Sequence, residues 1–223
     1  MSLDDLDAIA AKHGTDKSSV GTRKLSAKAY TIAYGNYLEP IRNEPIVILE
    51  IGIWRGSSLR MWEEFLPNAK LFAIDIDPAC RTHETSRSKV FIGDQTDAAF
   101  LKGVAETVGQ PFDCIIDDGG HRMEHHQASL PVLWPYLKDG GWFAIEDLHT
   151  CYVPEFGGGY KKPGSTVERV LKPVLDSLNY AEAVPSFVPD ISAMHVYPSV
   201  TFLFKGAPRP VAKRSVWRNF LRR

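Results

Sequence analysis

The sequence predicts an α/β fold, a doubly wound and mostly parallel sheet with helices on both faces. Two observations carry this expectation. Short apolar, β-branched runs alternate with amphipathic ones at strand–helix spacing, and the runs end in acidic residues. Residues 46–53 (IVILEIGI) form the first run, apolar enough for a strand buried on both faces. Segments 71–76, 90–92, 112–116 and 142–145 read the same way. Helices are expected at 57–66, 98–108 and 124–137, with a kink or restart at Pro131. Gly140-Gly141 is expected to close the third of these before its strand begins. Strand–helix–strand repeats of this rhythm make parallel sheets. Residues 151–165, rich in Gly, Pro and Tyr, read as a mobile surface loop. A helix at 166–178 and a strand pair including 195–197 and 200–204 complete the domain. The expected division is a helical N-terminal extension (1–45), one α/β domain (46–206) and a basic amphipathic tail (207–223).

Composition narrows the function classes. The 223 residues are 44% hydrophobic and 24% charged, with a formal net charge of −1. That is the profile of a soluble globular protein, and it removes bulk attraction to nucleic acid as a default. No run approaches the roughly 18 apolar residues of a membrane span, and the acidic start Met1-Ser2-Leu3-Asp4-Asp5 is not expected to be a signal peptide. Cys80, Cys114 and Cys151 lie far apart with no C-x-x-C pair, which favours a reducing cytoplasm and argues against a thiolate zinc site. The charge is uneven. Arg209, Lys213, Arg214, Arg218, Arg222 and Arg223 face no acid in the tail, and removing these six from the net of −1 leaves the remainder at −7. In a helix, Val216, Trp217, Phe220 and Leu221 would share one stripe. The stripe either docks on the protein body or a second subunit, a homo-oligomer being expected, or attaches weakly to an anionic membrane surface.

In open parallel sheets ligands bind at the carboxyl ends of the strands. There the chain places Glu50 and Gly52, Asp75 and Asp77, Asp94 and Gln95, Asp117 and Asp118 before His121, and Glu146 with Asp147. The first turn is not a dinucleotide fingerprint, because Trp54 stands where pyrophosphate would approach the backbone. Glu50 suits a positively charged ligand, and Asp75 stands where a ribose diol is held in such folds. A cationic nucleoside with a ribose and no phosphate describes S-adenosylmethionine.

Asp117, Asp118, Glu146 and Asp147 would repel one another if all were ionised in a partly dry cleft. A hard divalent cation relieves that repulsion, and an all-oxygen shell favours Mg²⁺ over zinc; helix capping accounts for one or two of them otherwise. His121 follows the Asp-Asp-Gly-Gly turn and is expected to start a helix at the same cleft, placed as a general base. His125 and His126 read as exposed or packing residues, since the order His-Arg-Met-Glu-His is not H-E-x-x-H.

At these residues the chain resembles the metal-dependent class I S-adenosylmethionine methyltransferases of the macrolide-sugar O-methyltransferase family (mycinamicin and macrocin O-methyltransferase-like), related to cephalosporin-hydroxylase-like proteins. The resemblance lies in KHGTDKS (12–18), LEIGI (49–53) with GSSLRMW (56–62), AIDIDP (73–78), FIGDQTD (91–97), IIDDGGH (115–121) and IEDLHTCY (145–152). It implies a Rossmann-like fold, metal ligands at Asp118, Glu146 and Asp147, and a catalytic base at His121. It implies cofactor contacts around Glu50, Gly52, Ser57, Asp75, Asp94, Gln95 and Asp117, with Thr31 contributing from the helical extension. The expected activity is Mg²⁺-dependent transfer of the methyl group of S-adenosylmethionine to a sugar hydroxyl of a glycosylated natural product or glycolipid. The residues 151–164 would then form the acceptor lid. The alternatives are a hydroxylase-like enzyme acting on a small metabolite, which calls for iron with two His ligands, and a non-catalytic S-adenosylmethionine-binding protein.

Overall fold

The computed structural model describes residues 4–19, 30–180 and 187–206. The expected tail helix at 207–223 lies outside these described residues, as do positions 27–29 of the extension. Seven strands form one sheet: β1 (Val47–Ile51), β2 (Lys70–Asp75), β3 (Ser88–Ile92), β4 (Phe112–Asp117), β5 (Leu137–Ile145), β6 (Ile191–Tyr197) and β7 (Val200–Lys205). Their spatial order is β3-β2-β1-β4-β5-β7-β6. The first five are parallel, while β7 runs antiparallel to both β5 and β6. The expected doubly wound, mostly parallel sheet is present.

The period of two along each strand sorts residues between two cores. Val47, Leu49 and Ile51 of β1 face one core, with Ile115 of β4 and with Phe143 and Ile145 of β5. Helices α4 (Ala98–Val108), α5 (Met123–Leu133) and α6 (Lys172–Asn179) cover this face through Leu101, Leu130 and Val174. Ile48, Cys114, Ile116, Trp142 and Ala144 point the other way. There they meet α1 (Asp4–His13), α2 (Tyr30–Leu38) and α3 (Ser57–Phe65) through Leu6, Tyr34, Trp62 and Phe65. The helical N-terminal extension therefore packs into the second core through Leu6, Ala10, Tyr30, Ala33, Tyr34 and Leu38. On that face Tyr34, Tyr37, Trp142, Tyr197 and Phe202 form an aromatic cluster with ring centroids 4.7–5.7 Å from Phe202.

Local chemistry sets the helix ends. Asp97 caps α4 by accepting from the amides of Ala99 and Phe100, and Gly109 closes it in the left-handed region. α5 runs through Pro131 and ends at Leu133, four residues short of the expectation. Pro135 then opens a separate 3₁₀ turn, Trp134–Tyr136. Gly140-Gly141 does not precede a strand but lies within β5, where the pairing with β4 shifts register between Phe112 and Cys114. A Cβ on Gly141 would stand 2.6 Å from the Asp113 carbonyl oxygen, so the close strand approach there requires glycine. The segment 151–165 is pinned rather than free: Gly159 N–H donates to the Cys151 carbonyl at 2.7 Å, and Gly158 packs against the Thr150 and Cys151 backbone too tightly for a Cβ. The helix expected at 166–178 is a π-turn, Val167–Leu171, leading into α6 with Pro173 in its first turn. Among the described residues no helix is long and apolar enough to cross a membrane.

Phe202 is fully buried between α2 and the sheet. Phe202→Ala should cost about 3–5 kcal/mol, read as a lower urea midpoint at unchanged m. A loss below about 1 kcal/mol would show that the extension does not share this core.

Candidate active site

Parity also decides where each acid goes. Glu50 follows Ile48, Asp118 follows Ile116 and Glu146 follows Ala144, so all three point to the face covered by the N-terminal extension. The ladder carries them past the strand ends in step: Gly52 N–H donates to Ile74, Asp118 N–H to Ile51 and Glu146 N–H to Asp117. Asp117 has the opposite parity and lies beneath α5. It accepts from Gln95 Nε2 at 3.1 Å and, through a short contact, from the Ser129 hydroxyl.

The three carboxylates on the extension's face surround one ammonium. Lys17 Nζ lies 2.5 Å from Asp118 Oδ2, 2.8 Å from Glu146 Oε1 and 3.6 Å from Glu50 Oε1, with its side chain 1% exposed. Tyr34 donates to the same Glu146 oxygen at 2.5 Å, Ser58 donates to Glu50 Oε2 at 2.9 Å, and Tyr30 donates to Asp147 Oδ1 at 2.7 Å. This corrects the premise that the acids lack a counter-charge within the chain. One cation does not balance three buried anions, however. Burial pushes the Glu50 carboxyl up to about 7, with the Asp118 charge adding and Lys17 opposing. Burial likewise raises Asp118 and, together with Asp118, Glu146. The Lys17 ammonium, penalised by burial, is held charged by the acids around it.

Lys17 is the functional residue that the motif chemistry missed; its only signal was its place in KHGTDKS. Its loop is anchored by Asp7, which accepts from Ser19 N–H and from Thr31 Oγ1, both at 2.7 Å, while Thr31 N–H donates to the Lys17 carbonyl. Thr31, expected at the cofactor, is fully buried and holds this loop instead.

A cavity of about 530 Å³ opens along the carboxyl ends of β1, β2 and β4, within the range of small-molecule sites. Of the expected site residues, Gly52, Ser57, Asp75, Asp94, Gln95, Asp118, His121 and Asp147 line it. Thr31, Glu50, Asp117 and Glu146 are buried and do not line it. Gly52 is required at its floor: its φ is +83°, and a Cβ would stand 2.2 Å from the Asp118 carbonyl oxygen. Asp75 is buried in part, which opposes ionisation, yet the amides of Asp77, Ile53 and Trp54 hold its carboxyl below the usual range. Those bonds shape the first turn and leave acceptor capacity on Asp75 Oδ1. Trp54 is 75% exposed at the rim, with the Arg55 guanidinium over its ring.

At the β4–β5 end of the cavity, ligand atoms of Asp118, His121 and Asp147 come within 4.8 Å of one another. His121 Nε2 is 3.6 Å from Asp147 Oδ2, and its buried Nδ1 has no hydrogen-bond partner among the described residues. His121 and Asp147 both have positive φ (54° and 53°), a costly backbone for side-chain-bearing residues. His121 precedes α5 by two residues rather than starting it. His126 of α5 is buried beside Thr166, and burial lowers the pKa of its imidazole, whereas His125 lines the cavity. Two hard oxygen donors beside an unsatisfied imidazole suit a divalent cation such as Mg²⁺ or Mn²⁺. Asp118 and Asp147 face the cavity, and Glu146, expected as a third metal ligand, has its Oε1 engaged by Lys17 and Tyr34 behind them.

The raised Glu50 carboxyl makes a stability prediction. Between about 4.5, the value of a free Glu, and about 7, the folded chain holds a proton that the unfolded chain releases. Stability in chelator should therefore fall across that window by up to roughly 1.4 kcal/mol per pH unit and level off above it. Glu50→Gln should flatten this part of the profile in denaturation curves taken from pH 4.5 to 8; an unchanged slope would contradict the assignment.

Residues 49–148 match a family model described as a methyltransferase domain. A tetracenomycin-rhamnose 3′-O-methyltransferase of Streptomyces olivaceus is 36% identical over 91% of this chain and 54% of its own length. The mycinamicin VI 2″-O-methyltransferase of Micromonospora griseorubida is 33% identical over 89% and 57%. The chain thus spans a little over half the length of these relatives. Among solved structures, the MycE methyltransferase of mycinamycin biosynthesis, in complex with Mg, SAH and mycinamycin VI, superposes with a TM-score of 0.81 at 31% identity. That match covers 95% of this chain and 57% of MycE. A caffeoyl-CoA O-methyltransferase-like structure from Staphylococcus aureus, at 15% identity and a TM-score of 0.52, shares the fold. Residues 49–148 thus carry a methyltransferase domain of the class I fold, and the chain is similar to these sugar O-methyltransferases over a little more than half of their length.

Proposed function

We propose that the chain is an S-adenosylmethionine- and Mg²⁺-dependent O-methyltransferase whose acceptor is a sugar hydroxyl of a small-molecule glycoside. The observation that carries this reading is the meeting of Asp118, His121 and Asp147 in a cavity that Gly52 floors and that Asp75 and Asp94 also line. Relatives that methylate rhamnose and related sugars on antibiotics support the acceptor class. Three buried, unpaired cysteines accord with a reducing, cytoplasmic setting.

In this reading Asp75 Oδ1 and Asp94 orient the ribose and adenine half of the cofactor, and the Gly52 turn lets the methionine half approach the backbone. Asp118 and Asp147 would hold Mg²⁺, which would supply Lewis-acid stabilisation of negative charge on the acceptor oxygen. His121 is placed to take the hydroxyl proton of the acceptor, and S-adenosylmethionine would supply the sulfonium methyl group, with S-adenosylhomocysteine as its leaving group. Tyr30, bonded to Asp147, and Tyr34 and Lys17, bonded behind it to Glu146, fix the carboxylates so that little reorganisation is left to the reacting complex. Burial and the neighbouring Asp147 raise the Tyr30 phenol, which stays a donor throughout.

Transfer of labelled methyl from S-adenosylmethionine to a panel of rhamnosides and other deoxysugar glycosides tests the reading. Turnover should require Mg²⁺ and stop in chelator; full turnover in metal-free protein would overturn it. His121→Ala should keep cofactor affinity and lose about 10²–10⁴-fold in kcat, with KM little changed. A kcat near wild type would assign the base to another group.

A further inference from the structure

The Lys17 ammonium lies among three buried carboxylates, Glu50, Asp118 and Glu146. It reaches across more than a hundred positions of sequence to touch Asp118 and Glu146, and it lies among side chains from β1, β4 and β5. It is fully buried on the extension's side of the sheet, whereas Asp118, His121 and Asp147 open to the cavity on the other side of the same carboxylates. The two cation positions therefore share Asp118, one on each side. We propose that Lys17 is a built-in counter-cation: it carries the structural share of the counter-charge, so that the fold does not depend on a divalent cation, and it limits how tightly that cation is held.

The physical argument is one of charge and distance. Unit charges about 4 Å apart still interact by several kcal/mol near protein at intermediate dielectric. Removing the ammonium leaves Glu50, Asp118 and Glu146 buried together without compensation, the costly way to break a buried ion pair. The same removal deletes the repulsion that a divalent cation at Asp118 meets from Nζ. One substitution should thus move stability and metal affinity in opposite directions, which a side chain that only fills space would not do. The loop that delivers Lys17 borders the cavity at Gly14, Thr15 and Asp16 and is held by Asp7 and Thr31 through bonds made within the chain.

This rests on the reading that Asp118 and Asp147 hold the divalent cation, and Mn²⁺ serves as the probe. Thermal unfolding in chelator and in Mn²⁺, together with electron paramagnetic resonance titration of free Mn²⁺, compares the wild-type chain with Lys17→Met. The wild type should fold stably in chelator and gain in Mn²⁺ only the increment that its own Mn²⁺ affinity sets. Lys17→Met should unfold at a clearly lower temperature in chelator, recover in Mn²⁺, and bind Mn²⁺ tenfold or more tightly, on the order expected for removing an adjacent unit charge. Wild-type stability of Lys17→Met in chelator, or its Mn²⁺ affinity unchanged or weakened, would overturn the proposal. If Lys17→Met does not fold, Lys17→Met with Glu146→Gln removes one charge of each sign. That pair should fold in chelator, and its failure to do so would show that the lysine's shape rather than its charge is needed. Mn²⁺ binding by Lys17→Met with none by the wild type would support the counter-cation and overturn the metal reading of the wild-type site.

Discussion

The ion cluster of Lys17 with Glu50, Asp118 and Glu146 is the interaction on which the rest of this site depends. Three parallel strands end in acids of the same parity, and the sheet's period of two sends all three beneath the same helical layer. Left alone they would be among the more expensive groups a fold can bury. The N-terminal extension answers with an ammonium, two phenols and an aromatic cover, which makes it part of the acidic site's framework rather than an appendage.

Building the site this way separates two layers of carboxylates. Glu50 and Glu146 are inner groups that shape and anchor, whereas Asp118 and Asp147 sit at the boundary and face the cavity. Asp75 and Asp94 belong to a third group, spent largely on backbone amides of their own turns, so that they present a fixed acceptor edge. The strained backbone at His121 and Asp147 brings the ends of β4 and β5 to one point. Strain of this kind persists where surrounding bonds over-determine it, and here Thr150 bonds the His121 carbonyl while Tyr30 bonds the Asp147 carboxylate.

Much of this was legible in the residues. The five parallel strands were readable because both faces are buried, which leaves uninterrupted β-branched runs, and the acids at their ends followed from the topology of open sheets. Even the parity that gathers Glu50, Asp118 and Glu146 could have been counted from their apolar neighbours. What could not be read was the partner. Lys17 precedes β1 by thirty positions in a polar loop, and nothing local marks a lysine that will be buried. The same blindness to long-range contacts placed Thr31 at the cofactor when it anchors the Lys17 loop, and Glu50 against the ligand when it meets Ser58 and Lys17. Gly140-Gly141 misled for a different reason: a glycine pair looks like a stop, but here it permits a bulge within β5.

The most direct test of the account is where a divalent cation sits. Crystals grown with Mn²⁺ and S-adenosylhomocysteine, and an anomalous difference map at the manganese edge, would locate it. The account predicts one peak at the cavity end between Asp118 and Asp147, with Lys17 still seated on Glu146. A peak at the Lys17 position with the ammonium expelled, or no peak near these carboxylates, would contradict it.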